Sequence, residues 1–272
     1  MKKNLLTLLS LLLTTTLMAY SDSDLDGVDD SVDKCPGTPL TELVDITGCP
    51  KKSLVSPHHF DIVVGLNYSD ADYTGLEKAD TLSTSLQVDY FYKNFSLQAS
   101  TAYYQTTAKG GYDDSGMYDS FIGGAYQLKP SDALTLRLGI GALLPTYDTS
   151  LNNNNTDYTG SLSLSYALNK SVNVFGGYIY TVINDDDTTD YTYQNTNAYS
   201  AGLGFYLSPK VYLSGAYSVS ESVIEGIDDI ETASGYMYIS MKDGAFMTLS
   251  YTNGLSDTAT DNYFSVRVGR YF

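Results

Sequence analysis

The sequence predicts an all-β protein: a closed antiparallel transmembrane barrel of about twelve strands, preceded by a small acidic loop module. Three observations predict it. From His58 onward the chain divides into segments of about ten residues in which apolar and polar side chains alternate, the period of a strand with one face to lipid and the other to a lumen. Beyond the first residues no apolar run approaches the roughly 20 residues a spanning helix needs, so a membrane-embedded chain must cross with strands. Tyr supplies 26 of the 272 residues and Trp none, and a ring carrying a hydroxyl suits the two membrane–water interfaces.

The twelve expected strands start near Phe60, Leu82, Phe95, Tyr118, Leu134, Tyr158, Val172, Tyr199, Val211, Ala233, Ala245 and Phe264. In the fifth, Leu134, Leu136, Leu138, Ile140 and Ala142 face one way, and Thr135, Arg137, Gly139 and Gly141 the other. The tenth, around Gly235–Ile239, shows no clear phase. Short turns at Lys93, Lys129, Lys170, Lys210 and Lys242 alternate with longer acidic loops, of which Asp185–Asp187 and Glu225–Glu231 are the densest. Barrels of this class keep short turns in the periplasm and long loops outside, which places both barrel termini in the periplasm.

The last strand carries Phe264, Val266, Val268 and the terminal Phe272 on one face. This ending resembles that of outer-membrane β-barrel proteins of the OmpA-like and porin-like kind. The resemblance implies a C-terminal assembly signal read by the barrel assembly machinery, and residence in the outer membrane of a Gram-negative bacterium beside lipid and lipopolysaccharide.

The first 57 residues divide in two. Residues 1–19 open Met-Lys-Lys, run through Leu5–Leu13 and reach a small-residue site near Ala19, the pattern of a cleaved secretory signal. Residues 20–57 are acidic, hold both cysteines and four of the seven prolines, and lack strand alternation, so they form a separate module and linker ahead of a barrel at 58–272. Within them Asp22, Asp24, Asp26, Asp30 and Asp33 occupy positions 1, 3, 5, 9 and 12 of a loop, with Gly27 at 6 and the Val28 carbonyl at 7. A hard cation wants six to eight oxygens, and the glycine permits the turn that converges them. From the residues alone the segment is either a Ca²⁺ loop or an acidic leader without fixed structure. Cys35 and Cys49, both in an exported segment, default to one disulfide.

Together with Asp33-Lys-Cys-Pro36 and Val44-Asp-Ile-Thr-Gly-Cys-Pro50, the aspartate loop resembles a thrombospondin type 3 repeat of the kind found in linkers of OmpA-like proteins. That resemblance implies Ca²⁺ ligation and a Cys35–Cys49 bond in a module on the periplasmic side.

The expected lumen is small and polar, with Ser96, Gln98, Ser100, Ser161, Ser163, Ser214, Thr248 and Ser250 inward and with Phe91, Tyr104, Phe121, Phe175, Tyr212 and Phe246 narrowing it in places. These side chains leave the lumen open. Its ionisable residues are Asp61, Asp89, Asp119, Arg137 and Arg267. Asp61, Asp89 and Arg267 can meet on one wall, either as a salt bridge holding the closing seam or as a charged constriction joined by Arg137.

Net charge is −17, which argues against nucleic-acid partners. The acidic loops can focus cations at the outer mouth, bind divalent ions (Asp185, Asp186, Asp187 and Asp190 being the best candidates), or simply stay solvated. The two histidines, His58 and His59, precede the first strand, so no histidine-based catalytic site can form at the outer rim, and no enzyme is expected. Passive passage of small, preferably cationic or neutral hydrophilic solutes is the expected function. The alternative is a non-conducting barrel that anchors the calcium module for envelope integrity or docking.

Overall fold

The structure, a computed structural model, describes residues 22–24, 27–38, 44–49, 58–72, 78–108, 113–147 and 154–272. The expected signal segment and Asp26, one of the five loop carboxylates, lie outside these residues.

Thirteen strands form one closed antiparallel sheet: β1 (His58–Ala71), β2 (Ala79–Tyr92), β3 (Phe95–Ala108), β4 (Asp113–Met117), β5 (Ser120–Ser131), β6 (Leu134–Leu144), β7 (Asp157–Asn169), β8 (Val172–Val182), β9 (Thr196–Ser208), β10 (Val211–Ser220), β11 (Ile230–Ser240), β12 (Ala245–Gly254) and β13 (Asn262–Tyr271). Each barrel strand begins within three residues of its expected start. The departure is β4, which falls in an expected loop. It pairs with the far half of β3 while β5 pairs with the near half, so β4 and β5 form one barrel position broken at Tyr118–Asp119. The ring therefore has twelve positions, and the pairing of β1 with β13 closes it.

Alternation dictates the two faces. Val64, Leu66, Leu86, Leu138, Ile140 and Leu164 point out and stay exposed, forming an apolar belt that lipid would cover. Phe264, Val266, Val268 and Phe272 join that belt, as expected, and Phe60 stacks on Phe272 across the seam with ring centroids 5.1 Å apart. Turn chemistry fixes the short connections. Lys93 takes a φ of +53° in the two-residue β2–β3 turn, and Asp243 and Gly244 take +59° and +73° before β12. Pro130, which lacks an N–H, sits where the β5–β6 register shifts between Leu128 and Ser131.

Candidate functional site: the lumen and the acidic module

At the end with the short turns, the inward faces of five consecutive strands carry large aromatic side chains. Tyr206 (β9) lies 5.3 Å from Tyr212 (β10), which meets Tyr236 (β11) edge-on at 6.4 Å, all between centroids. Tyr238 (β11) stacks on Phe246 (β12) at 5.6 Å, and Phe246 on Tyr271 (β13) at 4.7 Å. Gly269 on β13 makes room for this arc, because a Cβ there would run into the Phe246 ring. The unclear phase of β11 has its explanation here. Tyr236 and Tyr238 both point inward at a place where the lumen is filled rather than watery.

What fills it is the acidic module. Val28 and Val32 are buried in one apolar cluster with Val63, Tyr212, Tyr238 and Phe246, and Val32 has no exposed surface. The Tyr206 hydroxyl donates to the Asp30 carbonyl, and the Tyr236 hydroxyl to Asp29 Oδ2 at 3.4 Å. On the far side Lys129 Nζ of β5 lies 3.5 Å from Asp24 Oδ2. Around the ring of twelve, β5 stands six positions from β11, so the module touches opposite walls. The sequence reading placed bulk only on the barrel wall and missed Tyr206, Tyr236, Tyr238 and Tyr271. Their clustering on the inward parity of adjacent strands, close to the short turns, was the available signal.

Inside the module Asp22, Asp24, Asp30 and Asp33 are held by local donors. Gly27 N–H donates to Asp22 Oδ2 at 2.9 Å, Gly37 and Thr38 N–H to Asp24 Oδ2 at 2.7 and 3.0 Å, and Cys35 N–H to Asp33 Oδ1 at 2.8 Å. Ser23 donates from its N–H and its hydroxyl to the two oxygens of Asp30. The second oxygens, Asp22 Oδ1, Asp24 Oδ1 and Asp33 Oδ2, are buried without a hydrogen-bond partner. Gly27 has the φ of +84° that its place in the loop requires. Burial, reinforced by the neighbouring aspartates, raises the Asp22 carboxyl well above the usual range and pushes Asp33 up to about 9; burial carries Asp29 to about 7. Among the described residues no group of three or more His, Cys, Asp or Glu side chains is gathered as a metal site; the loop's Asp26 is not among them. Cys35 and Cys49 form the expected disulfide.

Above the module the lumen holds a cavity of about 100 Å³. Its polar wall includes Asn67, Ser83, Gln87 and Ser265, and Tyr118 and Tyr147 stand near its mouth. Tyr104, Tyr118 and Tyr147 cluster there, with Tyr104 and Tyr118 stacked at 4.6 Å.

The expected ionisable set is only partly brought together. Asp61 and Asp89 face each other across β1 and β2. Arg267 reaches them through an intermediate: it donates to Gln87 Oε1, and Gln87 Nε2 donates to Asp89 at 2.6 Å. A relay thus replaces the direct salt bridge, because Gln87 stands between the arginine and the acid on the β2 face. Arg137 donates to Ser96 Oγ at 2.9 Å. Asp119 sits apart at the β4–β5 break, accepting the Tyr147 N–H at 3.0 Å, so it does not join the other four. In the outer loops Asp185 and Asp187 accept backbone N–H groups of Asn155 and Tyr193 at 3.1 and 2.8 Å, which gives both a structural task.

Comparison with known proteins adds three likenesses at the level of fold. The chain resembles the NanC porin (TM-score 0.49, 13% identity, 77% of this chain and 97% of that one). It also resembles the translocator domain of the autotransporter NalP from Neisseria meningitidis (0.49, 12%, 80% and 88%) and the CymD monoaromatic hydrocarbon channel (0.46, 10%, 79% and 87%). Among curated proteins, a stretch of 42 residues is 52% identical to outer membrane porin F of Pseudomonas aeruginosa, covering 15% of this chain and only 12% of that protein's length. The barrel itself, with residues 52–264 matching the family model described as putative MetA-pathway of phenol degradation, shows that the chain belongs to that family.

Proposed function

We propose that the protein is an outer-membrane channel for small hydrophilic solutes that carries a calcium-binding module at its periplasmic end. The observation that carries this reading is the cavity of about 100 Å³ inside the barrel, lined in part by serine, asparagine and glutamine. A lumen serving only as a structural core would be filled by its own side chains. The apolar outer belt supports the membrane setting, and the short lysine-bearing turns support a periplasmic placement of the end that holds the module. The formal charge of −17 and the acidic loops favour cations at the outer mouth. Ca²⁺ in the module is favoured by the three buried carboxylate oxygens that lack partners, since a hard cation takes such oxygens.

Planar-bilayer recording in a KCl gradient tests the channel. Steady current whose reversal potential favours K⁺ supports it, and a barrel that stays silent in every condition rejects it. A second reading, a non-conducting barrel that anchors the module, draws on the module's docking against opposite walls. It predicts that solute uptake is unchanged when the module is removed, while envelope integrity suffers.

A further inference from the structure

We propose that the lumen cavity is a filter that selects small zwitterions, solutes of the amino-acid kind with one ammonium and one carboxylate group. The inference rests on the channel reading above and names its solute class.

The charges on the cavity wall lead to it. Arg267 and Asp119 line the cavity, whereas Asp61, Asp89 and Arg137 do not, and among the described residues no other charged side chain reaches it. The wall thus carries one positive and one negative group. They stand apart: Arg267 projects from β13 and Asp119 from the break before β5, four positions away around the ring of twelve. Neither forms an ion pair among the described residues, and Gln87 separates Arg267 from Asp89. Both charges are left for a solute.

Each is held in place. The Arg267 guanidinium donates to Gln87 Oε1, and its stem passes over Gly65, the residue opposite it on β1, where a Cβ would collide with Arg267 Cγ. Asp119 Oδ1 accepts the Tyr147 N–H at 3.0 Å. The Tyr118 and Tyr147 rings share the cavity wall with Asp119, and the face of such a ring also attracts an ammonium group.

Selection follows from the signs of the two charges. A cation is drawn to Asp119 and repelled by Arg267, an anion meets the reverse, and an uncharged solute gains little from either. A zwitterion whose ammonium points toward Asp119 and whose carboxylate points toward Arg267 is attracted by both. Its net charge is zero, so the acidic outer loops do not oppose its entry. Two modest attractions also suit passage better than one deep well, because a filter must release what it binds. The cavity of about 100 Å³ restricts the class to its small members.

The test measures swelling of proteoliposomes holding the full chain in isotonic alanine and in isotonic lactamide, an uncharged solute with the same number of non-hydrogen atoms. Expected is a rate several-fold higher for alanine in the wild type. Arg267→Gln and Asp119→Asn should each bring the ratio of the two rates close to one, and Arg267→Lys, which keeps the charge, should retain most of the preference. Asp119→Asn, a change of the same size near the loop end, keeps the test valid should Arg267→Gln fail to fold. Equal, substantial rates for the two solutes in the wild type overturn the filter and leave the channel standing, as does a preference that survives both neutralising variants. Entry of neither solute, with no ion current in planar bilayers, overturns the channel reading and the filter with it.

Discussion

The two ends of the same lumen are built from opposite materials. At the short-turn end six aromatic rings on β9–β13 meet two valines of the module, and water is excluded. At the loop end serine, asparagine and glutamine line an open cavity. Both come from inward positions of one strand: Phe246 on β12 is followed by Thr248 and Ser250, which line the cavity. A barrel strand can therefore change the character of its inner face within two or four residues, and what it faces at each level decides which residues belong there.

Phe246→Ala should break the contrast most severely. It empties the middle of the aromatic arc, and loss of a buried phenylalanine costs about 3–5 kcal/mol. We expect lower resistance to urea and reduced exchange protection of residues 22–49, with the outer loops unaffected; unchanged protection would mean that the arc does not support the module. Opening the disulfide with Cys35→Ser and Cys49→Ser comes next. Closing a loop of this length contributes roughly 3 kcal/mol by the chain-entropy account. Proteolysis should then cut the module at lower protease concentration, while the barrel keeps its folded migration on a gel.

Ser250→Trp tests the other end. It places an indole in the cavity wall and should lower single-channel conductance without altering module protection. A fall in protection would show the two ends to be coupled. The smallest effect belongs to Lys129→Gln, which removes a partly exposed ion pair worth about 1 kcal/mol or less. Module protection should decline slightly, and the decline should shrink as salt is raised, because screening already weakens the pair.

Most of the barrel was legible in the sequence, because a period of two with one face to lipid is a local and redundant signal. Leu138 and Ile140 announce an outward face regardless of what surrounds them. The split between β4 and β5 was less legible, since residues 113–117 are too polar to show a phase. In the module, the aspartate spacing and the cysteine pair led to the loop geometry at Gly27 and to the disulfide. Its position inside the barrel was illegible, for it depends on contacts such as Tyr206 with Asp30, separated by 176 residues, and no local pattern encodes such a meeting. The relay through Gln87 was missed for a related reason. Parity places Asp89, Gln87 and Arg267 on inner faces, but only the stagger between strands decides which of them touch.

The seam between β1 and β13 has a consequence for the order of assembly. These strands join the two ends of the barrel sequence, from His58 to Tyr271, so their pairing is the longest-range contact in the sheet and the slowest to form. Until it forms, the molecule is an open, curled sheet with the aromatic arc accessible from the side. The module precedes β1 in sequence, one lip of that opening, and its neighbours Phe246 and Tyr271 stand on or beside the other. Closing the seam thus completes the wall that surrounds the module.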